Sequence, residues 1–180
     1  MSHEPDLLAQ PAETRSADAP APAARFLELI ADKLVATEEL LYRHVQSDVP
    51  FIHDAGEYIF SGGGKRMRPA LLLLTSRMLG QDGDEEVTYA AVVELIHTAT
   101  LIHDDIIDNA NLRRGRATLN QLWGNSLTVL LGDWLYTTAM QMALSHDNIE
   151  VIRQLCDATR KMTEGELLSL ERLGQTDVTD

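Results

Sequence analysis

The sequence has little cysteine and few aromatic side chains. Cys156 is its single cysteine, so the chain cannot form an intramolecular disulfide, which is typical of proteins from a reducing compartment. Aromatic residues make up 5% of the chain and hydrophobic residues 44%, so a core of Leu, Ala, Ile and Val is expected. This balance favours packed helices over a β-sandwich.

A secretory signal and a membrane-spanning apolar run are also missing from the sequence. The N-terminus has no basic start followed by an apolar stretch. The best membrane candidate, residues 127–144, is interrupted by Asp133 and is more typical of a buried helix. We therefore expect a cytoplasmic protein with no integral membrane segment.

Positive charge is scarce but concentrated. The net charge of −13 repels nucleic acid, so no nucleic-acid partner is expected. Six of the 15 basic residues nevertheless fall in two short clusters, which are Lys65, Arg66 and Arg68, and Arg113, Arg114 and Arg116. Solvated surface charge would be the ordinary explanation of one such cluster.

Hydrophobic spacing predicts an all-α chain. Residues 1–24 are rich in Ala and Pro and are expected to be a disordered tail, whereas residues 25–180 are expected to be a portion of one helical domain. Apolar residues recur every three or four positions with no clear strand alternation. The expected elements are helices near 26–41, up to Phe60, 70–79, 85–108, 126–144 and 148–173, a turn near 119–123 and a polar loop over 109–115.

The stretch LIHDDIID carries the strongest chemical signal. On a helix, Asp104 and Asp108 lie one turn apart on the same face, with Asp105 beside them. Like charges at this spacing destabilise a bare helix, and hard divalent cations compensate them. Mg²⁺ usually takes one or two carboxylates together with substrate phosphates, so these aspartates predict a magnesium site. His97 lies two turns earlier along the same face.

The basic clusters flank this acidic helix. Arg113 and Arg114 follow it on a loop that can fold back over it, and arginine suits phosphate oxygens. Three glycines precede Lys65 and Arg68 and offer backbone N–H groups near a helix start. One acidic face and two separate basic clusters indicate two phosphorylated substrates.

In this order and spacing, four stretches resemble the trans-polyprenyl diphosphate synthases. They are GGGKRMRP, ELIHTATLIHDDIIDNANLRRG, GDWLYTTA and EGELLSL. The resemblance runs from about Arg25 to the last residue and implies an isoprenoid-synthase type of helical bundle. It also implies a magnesium-dependent transferase that joins isopentenyl diphosphate to an allylic diphosphate, working as a homodimer.

The resemblance assigns roles to individual residues. The residues expected to hold the diphosphate of isopentenyl diphosphate are Lys65, Arg68, His97 and Arg114. Asp104 and Asp108 are expected to bind Mg²⁺ that bridges the allylic diphosphate, which Arg113 also touches. These residues would stabilise the charge that develops on the departing diphosphate.

Product length follows from the positions four and five residues before Asp104. In the family, bulky side chains there close the bottom of the cavity. Here they are Thr100 and Ala99, both small. We therefore expect a long product, in the octaprenyl to decaprenyl range of quinone side chains such as that of ubiquinone.

Part of the family pattern is missing. A second aspartate-rich motif, and a Lys-Thr pair and a glutamine on later helices, do not occur in the 180 residues. The bundle is therefore expected to be incomplete, with metal ligands from one wall only and little activity for the chain alone.

Two other functions fit some of these residues. An HD-type metal phosphohydrolase would use the adjacent His103 and Asp104, but it needs further histidine ligands and leaves the Lys65 loop unexplained. A non-catalytic helical diphosphate-binding or regulatory subunit would need no second half, but it would not need the full set of charged residues either.

Overall fold

The computed structural model of the chain describes residues 22–172, which form eight α-helices and one short hairpin. The predicted tail over residues 1–24 lies outside the described residues, apart from the last three, which start the first helix. The elements are α1 (Pro22–Glu28), α2 (Ala31–His44), α3 (Pro50–Ser61), α4 (Met67–Met78), α5 (Glu85–Ile107), β1 (Leu112–Arg113), β2 (Arg116–Ala117), α6 (Leu119–Trp123), α7 (Asn125–Leu144) and α8 (Ile149–Glu171).

Helix α5 is the centre of the bundle and packs against α2, α4 and α7. It carries apolar side chains on more than one face, as a helix surrounded by neighbours must. The main core joins α5 to α7 and to α2, and its largest fully buried side chains are Leu41, Val45, Val92, Leu95, Leu131 and Leu135. Burial of each such side chain contributes about 1.5–3 kcal/mol.

A second, smaller core lies between α4, α5 and the start of α2. It consists of Ile30, Ala70, Leu73 and Ala90, all nearly inaccessible to solvent. Pro69 is in the first turn of α4, where a missing N–H removes no helical hydrogen bond. This core fixes α4 against α5, and with it the glycine-rich loop that precedes α4.

Most predicted helices are confirmed, and the observed all-α fold agrees with the sequence. The predicted helix over 26–41 is instead divided into α1 and α2. At the break, the backbone N–H groups of Leu29 and Ile30 bond to carbonyls three residues back, and Ile30 turns into the second core. Burial of Ile30 therefore outweighs continuity of the helix.

The loop over 109–115 contains the first strand of a hairpin that the sequence did not predict. Strands β1 and β2 are antiparallel, and Arg113 lies directly opposite Arg116. The two turn residues, Arg114 and Gly115, have φ values of 52° and 78°. Positive φ at both positions is the mark of a tight two-residue hairpin turn. Arginine rarely adopts this conformation, so the turn holds Arg114 in a strained position.

Helix α8 differs from the others because none of its side chains is buried. Its middle faces α5 across a cavity, and its final turns present exposed leucines, which are Leu167, Leu168 and Leu170. Within residues 22–172, no helix combines the length and apolar character needed to cross a bilayer.

Candidate active site

The glycine-rich loop is anchored by Arg66. This residue has a left-handed backbone, with φ of 43°, and caps the start of α4. Its guanidinium Nη1 donates to Glu94 Oε1 at 3.0 Å, and Nη2 donates to Glu38 Oε2 at 3.1 Å. The same group lies over the ring of Phe60, 5.5 Å from its centroid. Arg66 therefore ties the loop to α2, α3 and α5 at once.

The surroundings of Arg66 keep it charged. Burial lowers the pKa of Arg66, but the hydrogen bonds that it donates to Glu38 and Glu94, with the negative charges of these groups, outweigh burial and raise the pKa above its ordinary value. The neighbouring Lys65 and Arg68 are exposed, and neither forms an ion pair within residues 22–172. The cluster thus divides into one structural cation and two free ones.

The three aspartates at the C-terminal end of α5 also divide into one structural residue and two free ones. Asp105 is buried, and both of its carboxylate oxygens accept hydrogen bonds from Arg113 Nε, at 2.8 and 3.0 Å. Asp104 is half-buried and Asp108 is exposed. In the described part of the chain, the side chains of these two aspartates form no hydrogen bond and no ion pair. The backbone N–H of Asp108 donates to the carbonyl of Asp104 at 2.8 Å, so the two carboxylates are one helical turn apart.

Asp104 and Asp108 fit a magnesium ion that also takes substrate ligands. Their four oxygens are hard donors, and both carboxylates are free, since Arg113 takes Asp105 instead. In residues 22–172, no group of three or more His, Cys, Asp or Glu side chains is placed to hold a metal. The two aspartates can therefore supply part of a coordination sphere, and phosphate oxygens and water would have to supply the rest.

A cavity of about 410 Å³ lies between α5 and α8. Its charged and titratable lining consists of Arg68 from α4 and of His97 and Asp104, which are two helical turns apart on α5. The rest is apolar or weakly polar and comes from Val93, Ile96, Thr100, Leu101, Leu155, Ala158, Thr159 and Met162. This arrangement suits a ligand with an anionic head and a hydrocarbon tail.

A second cavity of about 180 Å³ lies beneath the hairpin, next to the glycine loop. Its charged lining consists of Arg66, Arg113, Arg114, Arg116, Glu94 and Asp105. Four arginines face two carboxylates, so this cavity has an excess of two positive charges within a chain of net charge −13. It suits an anion and needs no metal to attract one.

His97 lies between the two cavities and lines both. Burial is the main cause that lowers the pKa of His97, and the positive charge of Arg68 adds to it. The imidazole is therefore neutral near pH 7 and can donate one hydrogen bond without carrying charge. Thr100, one turn further along α5, donates its hydroxyl to the His97 carbonyl at 2.8 Å.

The structure brings most of the predicted residues together, but it distributes them over two cavities. Asp104, Arg68 and Thr100 line the larger cavity, Arg113 and Arg114 line the smaller one, and His97 lines both. Lys65 and Asp108 are exposed and line neither. Ala99 is buried in the main core, so only Thr100 of the two predicted length-setting positions lines the larger cavity.

Three features of the site could not be read from residue types alone. They are the Arg66 anchor, the Asp105–Arg113 pair and the position of Arg116 on the cavity wall. The sequence does offer a signal for the hairpin turn. The dipeptide Arg-Gly between two short runs is compatible with a tight hairpin in which the residue before Gly115 has a left-handed backbone.

His103 does not join the acidic cluster. Its Nε2 lies 3.2 Å from the Val129 carbonyl and 3.4 Å from Asp133 Oδ1, both on α7. A methyl group added at Gly132 would overlap its ring, so His103 is packed into the contact between α5 and α7. This placement gives the HD-type phosphohydrolase no support.

Several solved structures of isoprenoid synthases share this architecture. A decaprenyl diphosphate synthase from Rhodobacter capsulatus matches with a TM-score of 0.80 at 38% identity, over 83% of this chain and 46% of that chain. A polyprenyl synthase from Caulobacter crescentus, solved with calcium and isoprenyl diphosphate, matches with a TM-score of 0.83 at 33% identity, over 93% of this chain and 50% of that chain. The class of the protein is therefore the all-α isoprenoid synthases.

Sequence comparison narrows this class to one family. The octaprenyl diphosphate synthase of Escherichia coli is 42% identical over 153 residues, which are 85% of this chain and 47% of that protein. The family model described as polyprenyl synthetase matches residues 49–180. The chain belongs to the polyprenyl synthetase family, and it spans about half the length of the curated relatives it matches.

Proposed function

We propose that the chain provides the first half of a prenyltransferase active site, in which isopentenyl diphosphate condenses with an allylic diphosphate to give a long-chain polyprenyl diphosphate. The observation that carries this proposal is the pairing of two cavities across His97. The larger one is lined by the free Asp104 and by mostly apolar side chains, and the smaller one has excess arginine. Relatives named octaprenyl, nonaprenyl and solanesyl diphosphate synthases support it.

In this proposal, Asp104 and Asp108 hold Mg²⁺ against the allylic diphosphate. The bound metal would neutralise negative charge on that diphosphate as it leaves. A relative solved with calcium and isoprenyl diphosphate supports a divalent cation beside a prenyl diphosphate. Arg113 uses Nε for Asp105 and lines the smaller cavity. Its terminal nitrogens form no hydrogen bond in the described residues, and they would reach the allylic diphosphate from the side of the smaller cavity.

The other charged residues position the second substrate. Arg114 and the neutral His97 would bind the diphosphate of isopentenyl diphosphate. Lys65 would approach it from the glycine loop, and Arg68 from the first turn of α4 on the side of the larger cavity. The carbon–oxygen bond of the allylic substrate breaks, and its diphosphate departs with the electron pair. The isopentenyl double bond attacks the allylic cation, and loss of a proton restores a double bond. The apolar lining excludes water, which would otherwise capture the cation.

The length of the product depends on where the larger cavity is closed. Thr100 is small and lines this cavity one turn from Asp104, which leaves room for a long hydrocarbon tail. Thr100→Phe, introduced into an active enzyme that contains this segment, should shorten the main product, whereas Ala99→Phe should chiefly disturb the core. Unchanged product lengths in the Thr100→Phe enzyme would rule out this determinant. The expected products, octaprenyl to decaprenyl diphosphates, suit quinone side chains.

The assembly and location of the enzyme are part of the same proposal. Isopentenyl diphosphate and short allylic diphosphates dissolve in water, and we propose a cytoplasmic homodimer that binds them. A non-catalytic diphosphate-binding subunit is the second candidate, because the two candidate metal ligands, Asp104 and Asp108, come from the end of one helix only. In either case the chain by itself should transfer prenyl groups weakly.

The test is incubation with farnesyl diphosphate, labelled isopentenyl diphosphate and Mg²⁺, followed by sizing of the extracted products. The chain is assayed alone and when co-expressed with the C-terminal half of the Escherichia coli octaprenyl diphosphate synthase. Labelled long-chain products that require both halves and disappear with Asp104→Asn are expected. A complex of both halves that binds isopentenyl diphosphate but makes no product would favour the non-catalytic subunit.

A further inference from the structure

Arg116 is a cation without a counterion. It lies directly opposite Arg113 in the hairpin, and like charges facing each other across strands are destabilising. Arg113 is neutralised by Asp105, but no carboxylate among the described residues pairs with Arg116. A half-buried, uncompensated guanidinium opposite another arginine requires some other source of stabilisation.

An aromatic platform holds this guanidinium in place. Arg116 lies over the ring of Tyr58, with its central carbon 4.0 Å from the ring centroid. The Tyr58 hydroxyl donates to the Ala117 carbonyl at 2.8 Å, and its ring meets Trp123 edge-on at 5.7 Å. The platform therefore holds the guanidinium against the ring, and the N–H donors of Arg116 form no hydrogen bond in the described residues.

The edge of Arg116 meets the glycine loop. A side chain at Gly62 would overlap Arg116 Nη1, so the glycine makes room for the guanidinium. Arg116 thereby lines the smaller cavity together with Arg114, His97 and Gly63. The two carboxylates of this cavity already accept hydrogen bonds from Arg66 and Arg113. The free N–H donors of Arg116 can therefore bind an anion in this cavity.

We propose that Arg116 is a further substrate-binding residue, which donates to the diphosphate of isopentenyl diphosphate in the smaller cavity. This inference rests on the proposed function. The smaller cavity favours the substrate that binds without metal. The carboxylates of this cavity are already paired with arginines, and the free Asp104 lines the larger cavity instead. Arg116 should thus distinguish the two diphosphates, and the ring of Tyr58 acts as its positioning residue.

The experiment measures binding of two ligands to the full chain by calorimetry. One is isopentenyl diphosphate without Mg²⁺, and the other is farnesyl thiolodiphosphate with Mg²⁺. Arg116→Gln should weaken the first about tenfold or more, as loss of one charge-assisted hydrogen bond does, and change the second less than about twofold. Arg160→Gln, which alters the net charge equally on an exposed helix face, should change neither.

Additional variants separate binding from folding. Arg116→Lys keeps the charge and should retain part of the affinity for isopentenyl diphosphate. Tyr58→Phe keeps the aromatic platform, whereas Tyr58→Leu removes it. Two results would overturn the inference but leave the proposed function standing. One is wild-type affinity of Arg116→Gln for isopentenyl diphosphate, and the other is an equal loss of affinity for both ligands in a folded variant. Failure of the wild-type chain to bind either ligand would contradict both.

Discussion

Two sets of charged residues in this chain look alike in sequence and differ in structure. Arg66 and Asp105 lie inside the bundle and are bonded to partners, Arg66 to Glu38 and Glu94 and Asp105 to Arg113. The residues beside them, Lys65, Arg68, Asp104, Asp108 and Arg114, form no ion pair within residues 22–172. The first set builds the site and the second set is available to ligands.

The difference lies in direction rather than in residue type. Consecutive residues on a helix point about 100° apart, so Asp105 turns toward the hairpin while Asp104 turns toward α8. On the glycine loop, the left-handed backbone of Arg66 turns its side chain inward against α2 and α5. Each acidic or basic cluster therefore uses one member as an anchor for the others.

The largest expected effect comes from the free set. Asp104→Asn, in an active enzyme that contains this segment, should lower prenyl transfer by a factor of about 10² to 10³, because charge on the departing diphosphate is no longer neutralised. Thermal stability should hardly change, since Asp104 has no partner to lose. Steady-state kinetics with farnesyl and isopentenyl diphosphates measures the effect, and Asp157→Asn on the exposed part of α8 is the control. Full activity of the Asp104→Asn enzyme would exclude the metal assignment.

Substitution of the anchors should instead cost stability. Arg66→Met leaves Glu94 buried without its partner and should lower the free energy of unfolding by about 2–3 kcal/mol, less than for a fully buried pair because Glu38 is 36% exposed. Lys65→Met should change it by less than about 0.5 kcal/mol. Urea unfolding of both variants tests the contrast. Equal free energies of unfolding for the two variants would contradict the structural role of Arg66.

The acidic cluster offers the same contrast on a smaller scale. Asp105→Asn weakens a charge-assisted pair with a partly exposed Arg113 and should cost about 1–2 kcal/mol. Asp108→Asn should be neutral or slightly stabilising, by about 0.2–0.5 kcal/mol, because it removes repulsion from Asp104 one turn away. Circular dichroism during thermal unfolding distinguishes them, and a larger loss for Asp108→Asn than for Asp105→Asn would contradict the assignment.

The smallest effect concerns pH. The pKa of His97 is below its ordinary value of 6.5, so the folded chain takes up this proton less readily than the unfolded chain. The stability linked to His97 is complete above pH 6.5 and is lost as the pH falls through the lowered pKa. Inorganic pyrophosphate should raise the pKa again, since an anion favours the imidazolium. NMR titration of the His97 ring protons measures both, and a pKa indifferent to pyrophosphate would place His97 outside the anion site.

The sequence was sufficient for the fold class, the main helices and the chemistry of the two clusters, because periodicity and charge spacing are local properties. It did not reveal which of two adjacent charges turns inward, since that depends on contacts between distant residues such as Arg66 and Glu38. The hairpin was missed for a related reason. Its strands are two residues long, and a pairing of Arg113 with Arg116 is unfavourable until Asp105 and Tyr58 compensate it.

The most direct test of this account is a crystal structure of the chain with Mg²⁺ and farnesyl thiolodiphosphate. Mg²⁺ is expected at about 2.0–2.1 Å from carboxylate oxygens of Asp104 and Asp108, with the diphosphate on the metal and the farnesyl tail along the α5 face that carries Thr100. A metal bound elsewhere, or a diphosphate bound away from both aspartates, would contradict it.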